Sequence, residues 1–265
     1  MKKIKLWISD IDGTLMNYDG SVTERMQNLI KKINSSDIKL VLATGRMFMG
    51  AYHAAKSFNN TNPVVCYQGA VVRTKDEILW QSTIKDELVL EILDYLKQND
   101  VHTHLYFNDT LYVEDDNKQI MNVYCNGRGT VYEVVDDFKA LKPHSIPKIL
   151  GVIEEKNKME RIKHELSEKY VDELTIVQSS SCYLEITNKG VSKGLALEFL
   201  KKYWNLSDDE VLATGDQDND IELIKHAGHS ACVGFNSEEL RRIAKYKIES
   251  VNSDGLVDLV ERLAF

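Results

Sequence analysis

Only 3 prolines and 14 glycines punctuate the 265 residues, too few for a collagen-like, low-complexity or Pro/Gly-rich linker segment. Cysteine is equally sparse. Cys66, Cys125, Cys182 and Cys232 lie far apart with no CxxC pair, so neither a zinc cage nor a disulfide framework is indicated and reduced thiols are expected. Basic excess is missing too: 33 Lys and Arg against 41 Asp and Glu leave a net charge of −8. That balance argues against a general nucleic-acid or membrane-surface binder, though not against a local cationic pocket. No apolar run approaches the ~20 residues that cross a bilayer. The stretch after Met1-Lys2-Lys3-Ile4 is also too short for a secretory signal. A cytoplasmic protein with no nucleic-acid or membrane partner is expected.

What is present is ordinary for a soluble globular chain, 43% hydrophobic and 28% charged, and long enough to bury a large core. The first eighty residues alternate strand and helix signals. Ile4–Ile8, Ile38–Ala43 and Val64–Tyr67 are short apolar runs, and Met26, Leu29, Ile30 and Ile33 recur at helical spacing behind a candidate N-cap, Thr23. Such repeats favour a parallel sheet covered by helices. From about Thr83 to Thr187 strand-like runs dominate: 101–107, 111–113, 130–135, 148–153, 174–178 and 183–186, with helical patterns at Leu88–Leu96 and Met159–Leu166. This mixture predicts a separate α+β unit with a largely antiparallel sheet. The alternating pattern returns after Asn188. The predicted fold is therefore α/β, a Rossmann-like parallel-sheet core (1–83 and 188–265) interrupted by an inserted α+β cap (84–187).

Ser9-Asp10-Ile11-Asp12-Gly13-Thr14-Leu15 follows the first strand. Strand side chains alternate faces, so Asp10 and Asp12 start out pointing the same way, and two like charges this close need a cation, a shared proton or both. A strand followed by a polar turn is the plain alternative. Three more polar clusters fall at or near strand ends, where ligands of open α/β sheets gather: Thr44-Gly45-Arg46, Lys193, and Gly215-Asp216-Gln217-Asp218-Asn219-Asp220. Singly, each has a structural explanation as a turn, a solvated helix residue or an acidic first helical turn.

In this order and spacing the four clusters resemble the signature motifs of the haloacid dehalogenase superfamily: DxDGT at Asp10–Thr14, a strand-end Thr44, Lys193, and GDxxND at Gly215–Asp220. The long insert between the second and third motifs is similar to that of the Cof-type phosphatases, as are the runs Asn188–Gly194 and Asn252–Val257. The resemblance implies that Asp10 is a nucleophile forming an aspartyl-phosphate and that Asp12 moves protons to and from the leaving group and water. It implies a Mg²⁺ ion on Asp10, Asp216 and the backbone carbonyl of Asp12, with Asp220 supporting that shell. Lys193 would pair with Asp10 and the phosphate; Thr44 and the Gly45 amide would hydrogen-bond phosphoryl oxygens. Asn219 would orient Lys193 or the phosphate, and Arg46 would approach the substrate tail or form a surface ion pair.

The implied activity is Mg²⁺-dependent hydrolysis of a small phosphorylated metabolite such as a sugar phosphate, by a monomer or homodimer. A phosphomutase of the phosphomannomutase type and a catalytically inactive binding protein are the alternatives. A mutase would need several cations in the insert to grip a second phosphate, whereas Arg128, Arg161 and scattered lysines form no evident cluster. Residues 13–22 are expected to form a mobile hairpin-like segment with Gly13 and Gly20 as its flexible points. Gln68-Gly69-Ala70 stands where Cof-type chains commonly have Asn-Gly-Ala, which puts a substrate contact in doubt. His102-Thr103-His104 places two imidazoles on one strand face without an evident third metal ligand. Asn126-Gly127-Arg128-Gly129 is expected to be a turn.

Overall fold

The computed structural model describes residues 3–125 and 131–265, so Arg128 and its expected turn lie outside the described residues. The chain divides into two compact units, Met1–Trp80 with Ser192–Phe265, and Gln81–Val191.

The first unit is built on β1 (Leu6–Ser9), α1 (Glu24–Asn34), β2 (Lys39–Ala43), α2 (Phe48–Ser57), β3 (Val64–Cys66), β4 (Val71–Arg73) and β5 (Ile78–Gln81). The second unit contributes α3 (Asp86–Gln98), β6 (His102–Phe107), β7 (Thr110–Val113), α4 (Lys118–Cys125), β8 (Tyr132–Val134), β9 (Ile149–Val152), α5 (Lys156–Lys169), β10 (Leu174–Gln178) and β11 (Tyr183–Asn188). The chain then returns to the first unit with α6 (Lys193–Trp204), β12 (Val211–Gly215), α7 (Ile221–Lys225), β13 (His229–Val233), α8 (Glu238–Ile243), β14 (Tyr246–Ile248) and α9 (Gly255–Ala264).

Among the described residues the first sheet has the order β14-β13-β12-β1-β2-β3-β4-β5. Its pairings from β14 to β3 are parallel, whereas β3 and β4 pair antiparallel. All four residues of β1 are buried, as expected for a central strand covered on both faces. Leu6, Ile8, Val41, Val211 and Ala213 form one core with Leu197 and Leu200 of α6, Leu223 of α7 and Leu240 of α8. Thr23 caps α1 by accepting from the Met26 amide. The register sets Ser9 opposite Leu42 and Thr214, which brings the carboxyl ends of β1, β2 and β12 level.

The second sheet runs β10-β11-β9-β6-β7-β8 and is antiparallel apart from the parallel β7–β8 pair. Its main core joins Leu105, Phe107, Ile149, Leu184 and Ile186 to Val89, Ile92 and Leu96 of α3 and Met159, Ile162 and Leu166 of α5. His102, His104 and Tyr106 alternate with Leu105 and Phe107 along β6. The ring nitrogens of both histidines are buried without hydrogen-bond partners, and the His104 ring lies 4.5 Å from that of Tyr124 on α4.

Candidate active site

The site grows from the end of β1. The Asp10 amide donates to the Thr214 carbonyl at 2.9 Å, so the chain leaves β1 still tethered to β12. Beneath it runs a buried relay: the Trp7 indole donates to the Thr214 hydroxyl (3.0 Å), which donates to the Ser9 hydroxyl (2.7 Å), which donates to the Asp10 carbonyl (2.8 Å). Trp7 and Thr214 carry no motif signal, because a Trp and a Thr inside apolar strands look like ordinary core.

Lys193 is the first residue of α6, where the helix dipole disfavours a cation. Carboxylates overcome that preference. The wholly buried ammonium donates to Asp10 Oδ1 at 2.7 Å and to Asp220 Oδ1 at 2.6 Å. Asp220 reaches it because Gly215 has no side chain: a Cβ there would overlap the Asp220 carboxyl. The second oxygen of Asp220 accepts from the Asp216 and Gln217 amides at 3.0 and 3.2 Å, closing the turn after β12. Asn219, expected to orient Lys193, instead donates to Gln68 Oε1 at 3.1 Å. Asp220 faces inward and Asn219 is exposed, so the aspartate takes the lysine.

Asp12 has a different partner from Asp10. β1 stops at Ser9, and the chain turns so that the Asp12 carboxylate forms a two-pronged pair with Arg46, Nε to Oδ2 at 2.8 Å and Nη2 to Oδ1 at 2.5 Å. Its side chain retains 31% exposure against 11% for Asp10. Arg46 is thus held by an ion pair with the other motif carboxylate. Thr44 is buried at the end of β2, its hydroxyl accepting from the Arg46 amide at 3.1 Å. Gly45 lies under the Gln68 carboxamide, which a Cβ would overlap. Gln68 has a φ of 59° and Gly69 of 101°, and Gly69 packs so closely on the Ser192 carbonyl that only glycine fits.

Asp216 is 1% exposed. Its Oδ1 accepts from Thr14 (3.2 Å), and its Oδ2 accepts from the Tyr18 hydroxyl (2.7 Å) and Asn236 Nδ2 (3.0 Å). Residues 13–22 contain turns closed by the Gly20 amide on Asn17 and the Asn17 amide on Ser21.

Asp10, Asp216 and Asp220 offer carboxylate oxygens within 4.8 Å of one another. Burial lifts the Asp10 carboxyl well above the usual range; Lys193 opposes this, while Asp220 and Asp216 add to it. Burial also raises Asp216. Lys193 is pulled down by burial, but Asp10 and Asp220 prevail and hold it above an ordinary lysine. Three buried carboxylates against one ammonium form a hard-oxygen donor set with unbalanced negative charge, and this fits Mg²⁺. His102 and His104 do not belong to this group.

A haloacid dehalogenase-like hydrolase family model matches residues 7–260. A Haemophilus influenzae relative whose phosphatase name is provisional is 27% identical over 260 residues, covering 97% of each chain. A Bacillus subtilis protein named 5-amino-6-(5-phospho-D-ribitylamino)uracil phosphatase is 21% identical over 253 residues, 93% of each. The solved structure of a Bacteroides thetaiotaomicron haloacid dehalogenase-like hydrolase superposes with a TM-score of 0.90 at 24% identity, covering 98% of this chain and 100% of that one. No helix among the described residues is long and apolar enough to cross a membrane. With its strand-end carboxylates, buried lysine and matching family model, the chain belongs to the haloacid dehalogenase-like hydrolases.

Proposed function

We propose that this protein is a Mg²⁺-dependent phosphatase that hydrolyses small phosphorylated metabolites through an aspartyl-phosphate on Asp10. The carrying observation is the contrast between two nearby carboxylates: Asp10 is buried beside Lys193, Asp216 and Asp220, whereas Asp12 is half-exposed on Arg46. The names of the H. influenzae and B. subtilis relatives support the reaction class, and the second supports a small organic phosphomonoester.

An anionic nucleophile approaching a phosphate dianion needs positive potential around both. Lys193 supplies a fixed charge beside Asp10 Oδ1. Asp10, Asp216 and the Asp12 carbonyl, supported by Asp220, would hold the metal, which when bound screens the nucleophile and neutralises charge on the transferring group. The Thr44 hydroxyl, the Gly45 amide and Asn219 bind phosphoryl oxygens. Asp10 attacks phosphorus while Asp12 protonates the leaving alkoxide; Asp12 then takes a proton from the water that attacks the phosphoryl-aspartate, returning Asp10 and releasing phosphate. Arg46 holds both oxygens of Asp12 and releases one of them for these proton transfers.

Phosphate release from a panel of phosphometabolites, with Mg²⁺ and with EDTA, tests this reading. Turnover that needs Mg²⁺ and disappears in Asp10→Asn supports it. No release from any substrate, or full activity of Asp10→Asn, refutes it. Interconversion of glucose 1-phosphate and glucose 6-phosphate without free phosphate would point to a mutase instead.

A further inference from the structure

The contacts of the loop 13–22 reach beyond its turn geometry. Tyr18 has its side chain largely in solvent, 63% exposed as a residue, yet its hydroxyl is fixed at both ends. It donates to Asp216 Oδ2 at 2.7 Å and accepts from Gln217 Nε2 at 2.7 Å. Gly13 makes this possible: at φ 82°, a Cβ would overlap the Asp216 carboxylate and sit 2.8 Å from the Tyr18 hydroxyl. The neighbouring Asn17 side chain donates through Nδ2 to Ser21 Oγ (2.9 Å) and to Asn252 Oδ1 (2.8 Å). Asn236 reaches the same Asp216 oxygen at 3.0 Å. The loop after β1 is thus fastened at Asp216 through Tyr18 and at the segment before α9 through Asn17.

We propose that Tyr18 is a positioning residue for the metal-ligating carboxylate Asp216 and couples the fastening of the 13–22 loop to Mg²⁺ binding. The inference rests on the metal reading given above. An exposed aromatic ring gains little by burial, so the defined contact it makes is the hydroxyl bridge between Gln217 and Asp216. A donor on one oxygen of a ligating carboxylate fixes its rotation and leaves its other lone pairs for the ion. Loss of such outer contacts typically weakens metal affinity about 10–100-fold. By reciprocity, the bound ion holds the loop as firmly as the loop holds the ion.

Tyr18→Phe in the full-length protein removes the hydroxyl and keeps the ring. Mg²⁺ titration by calorimetry gives the affinity, and amide hydrogen exchange over 13–22 with and without Mg²⁺ reads the loop. The expected result is Mg²⁺ affinity weakened about ten-fold or more, with the maximal rate at saturating Mg²⁺ nearly retained. Mg²⁺-dependent protection of 13–22 should be present in wild type and reduced in Tyr18→Phe. Wild-type-like affinity and loop protection in Tyr18→Phe would overturn the coupling alone. Failure of the wild-type protein to bind Mg²⁺ would overturn the metal reading and this inference with it. An unchanged thermal melt of Tyr18→Phe in EDTA separates these outcomes from misfolding.

Discussion

Replacing Lys193 with methionine removes the ammonium while keeping a long, flexible side chain. In the native protein Nζ lies 2.7 Å from Asp10 and 2.6 Å from Asp220, with no solvent exposure. At an effective dielectric of ~20, each contact corresponds to about 6 kcal/mol of Coulomb attraction. Taking the ions out of water offsets much of that, so the net value of the cluster is far smaller than the sum. Removal of one partner is different, because it leaves the remaining buried charges uncompensated, typically destabilising by about 3–5 kcal/mol. Here two carboxylates lose their ammonium and Asp216 stays nearby, which places the expected loss at the upper part of that range in EDTA. Trp7, Trp80 and Trp204 all belong to the unit that holds the site, so urea unfolding followed by tryptophan emission reports this unit. Adding Mg²⁺ should recover part of the loss, and Lys193→Met/Asp220→Asn should be more stable than Lys193→Met alone. A single variant within about 0.5 kcal/mol of wild type in EDTA, the scale of an ordinary surface substitution, would refute the reasoning.

Other consequences follow from particular contacts. Asp12→Asn should keep the fold, since the side chain is partly exposed and an amide oxygen still accepts from Arg46, yet lower kcat by roughly 10²–10⁴-fold as expected for a lost proton-transfer group; steady-state kinetics beside a thermal melt checks both. Gly69→Ala combines a φ of 101° with overlap of the Ser192 carbonyl and should cost at least about 2 kcal/mol in urea unfolding. Burial holds His104 well below an ordinary histidine, with His102 and Lys148 adding to the effect, and burial lowers His102 as well. The unfolded chain therefore takes up these protons first as pH falls below about 6.5, and stability should drop there by up to ~1.4 kcal/mol per pH unit from His104, with a smaller contribution from His102, where Asp115 opposes burial. Urea midpoints followed by circular dichroism from pH 7.5 to 5 should show a shallower decline in His104→Leu than in wild type.

The parallel core was legible because β1, β2 and β3 are uninterrupted apolar runs, and α1 carries its cap and period in plain view. β4, β5 and β14 escaped notice: they are only three or four residues long and mix polar with apolar side chains, and their pairing depends on the neighbouring strands. Helix α4 was hidden by its length of eight residues. At the site, the four polar clusters pointed to Asp10, Thr44, Lys193 and Asp216, and the GDxxND resemblance to Asp220 beside the metal, but neither foretold that Asp220 rather than Asn219 takes Lys193. That choice depends on Gly215 letting Asp220 fold back, a tertiary contact. The different partners of Asp12 and Asp10, Arg46 and Lys193, were likewise not readable from strand alternation, because β1 ends at Ser9 before either carboxylate. Tyr18, a single aromatic in a polar loop, had no pattern to betray it.

The nucleophilic role of Asp10 is tested most directly by rapid acid quench of the enzyme turning over a labelled phosphomonoester, followed by peptide mass spectrometry. The account predicts one phosphoryl group on the peptide containing Asp10, lost on treatment with hydroxylamine as an acyl phosphate must be, and absent from Asp10→Asn. Phosphate release with no covalent label, or a label on any other residue, would contradict it.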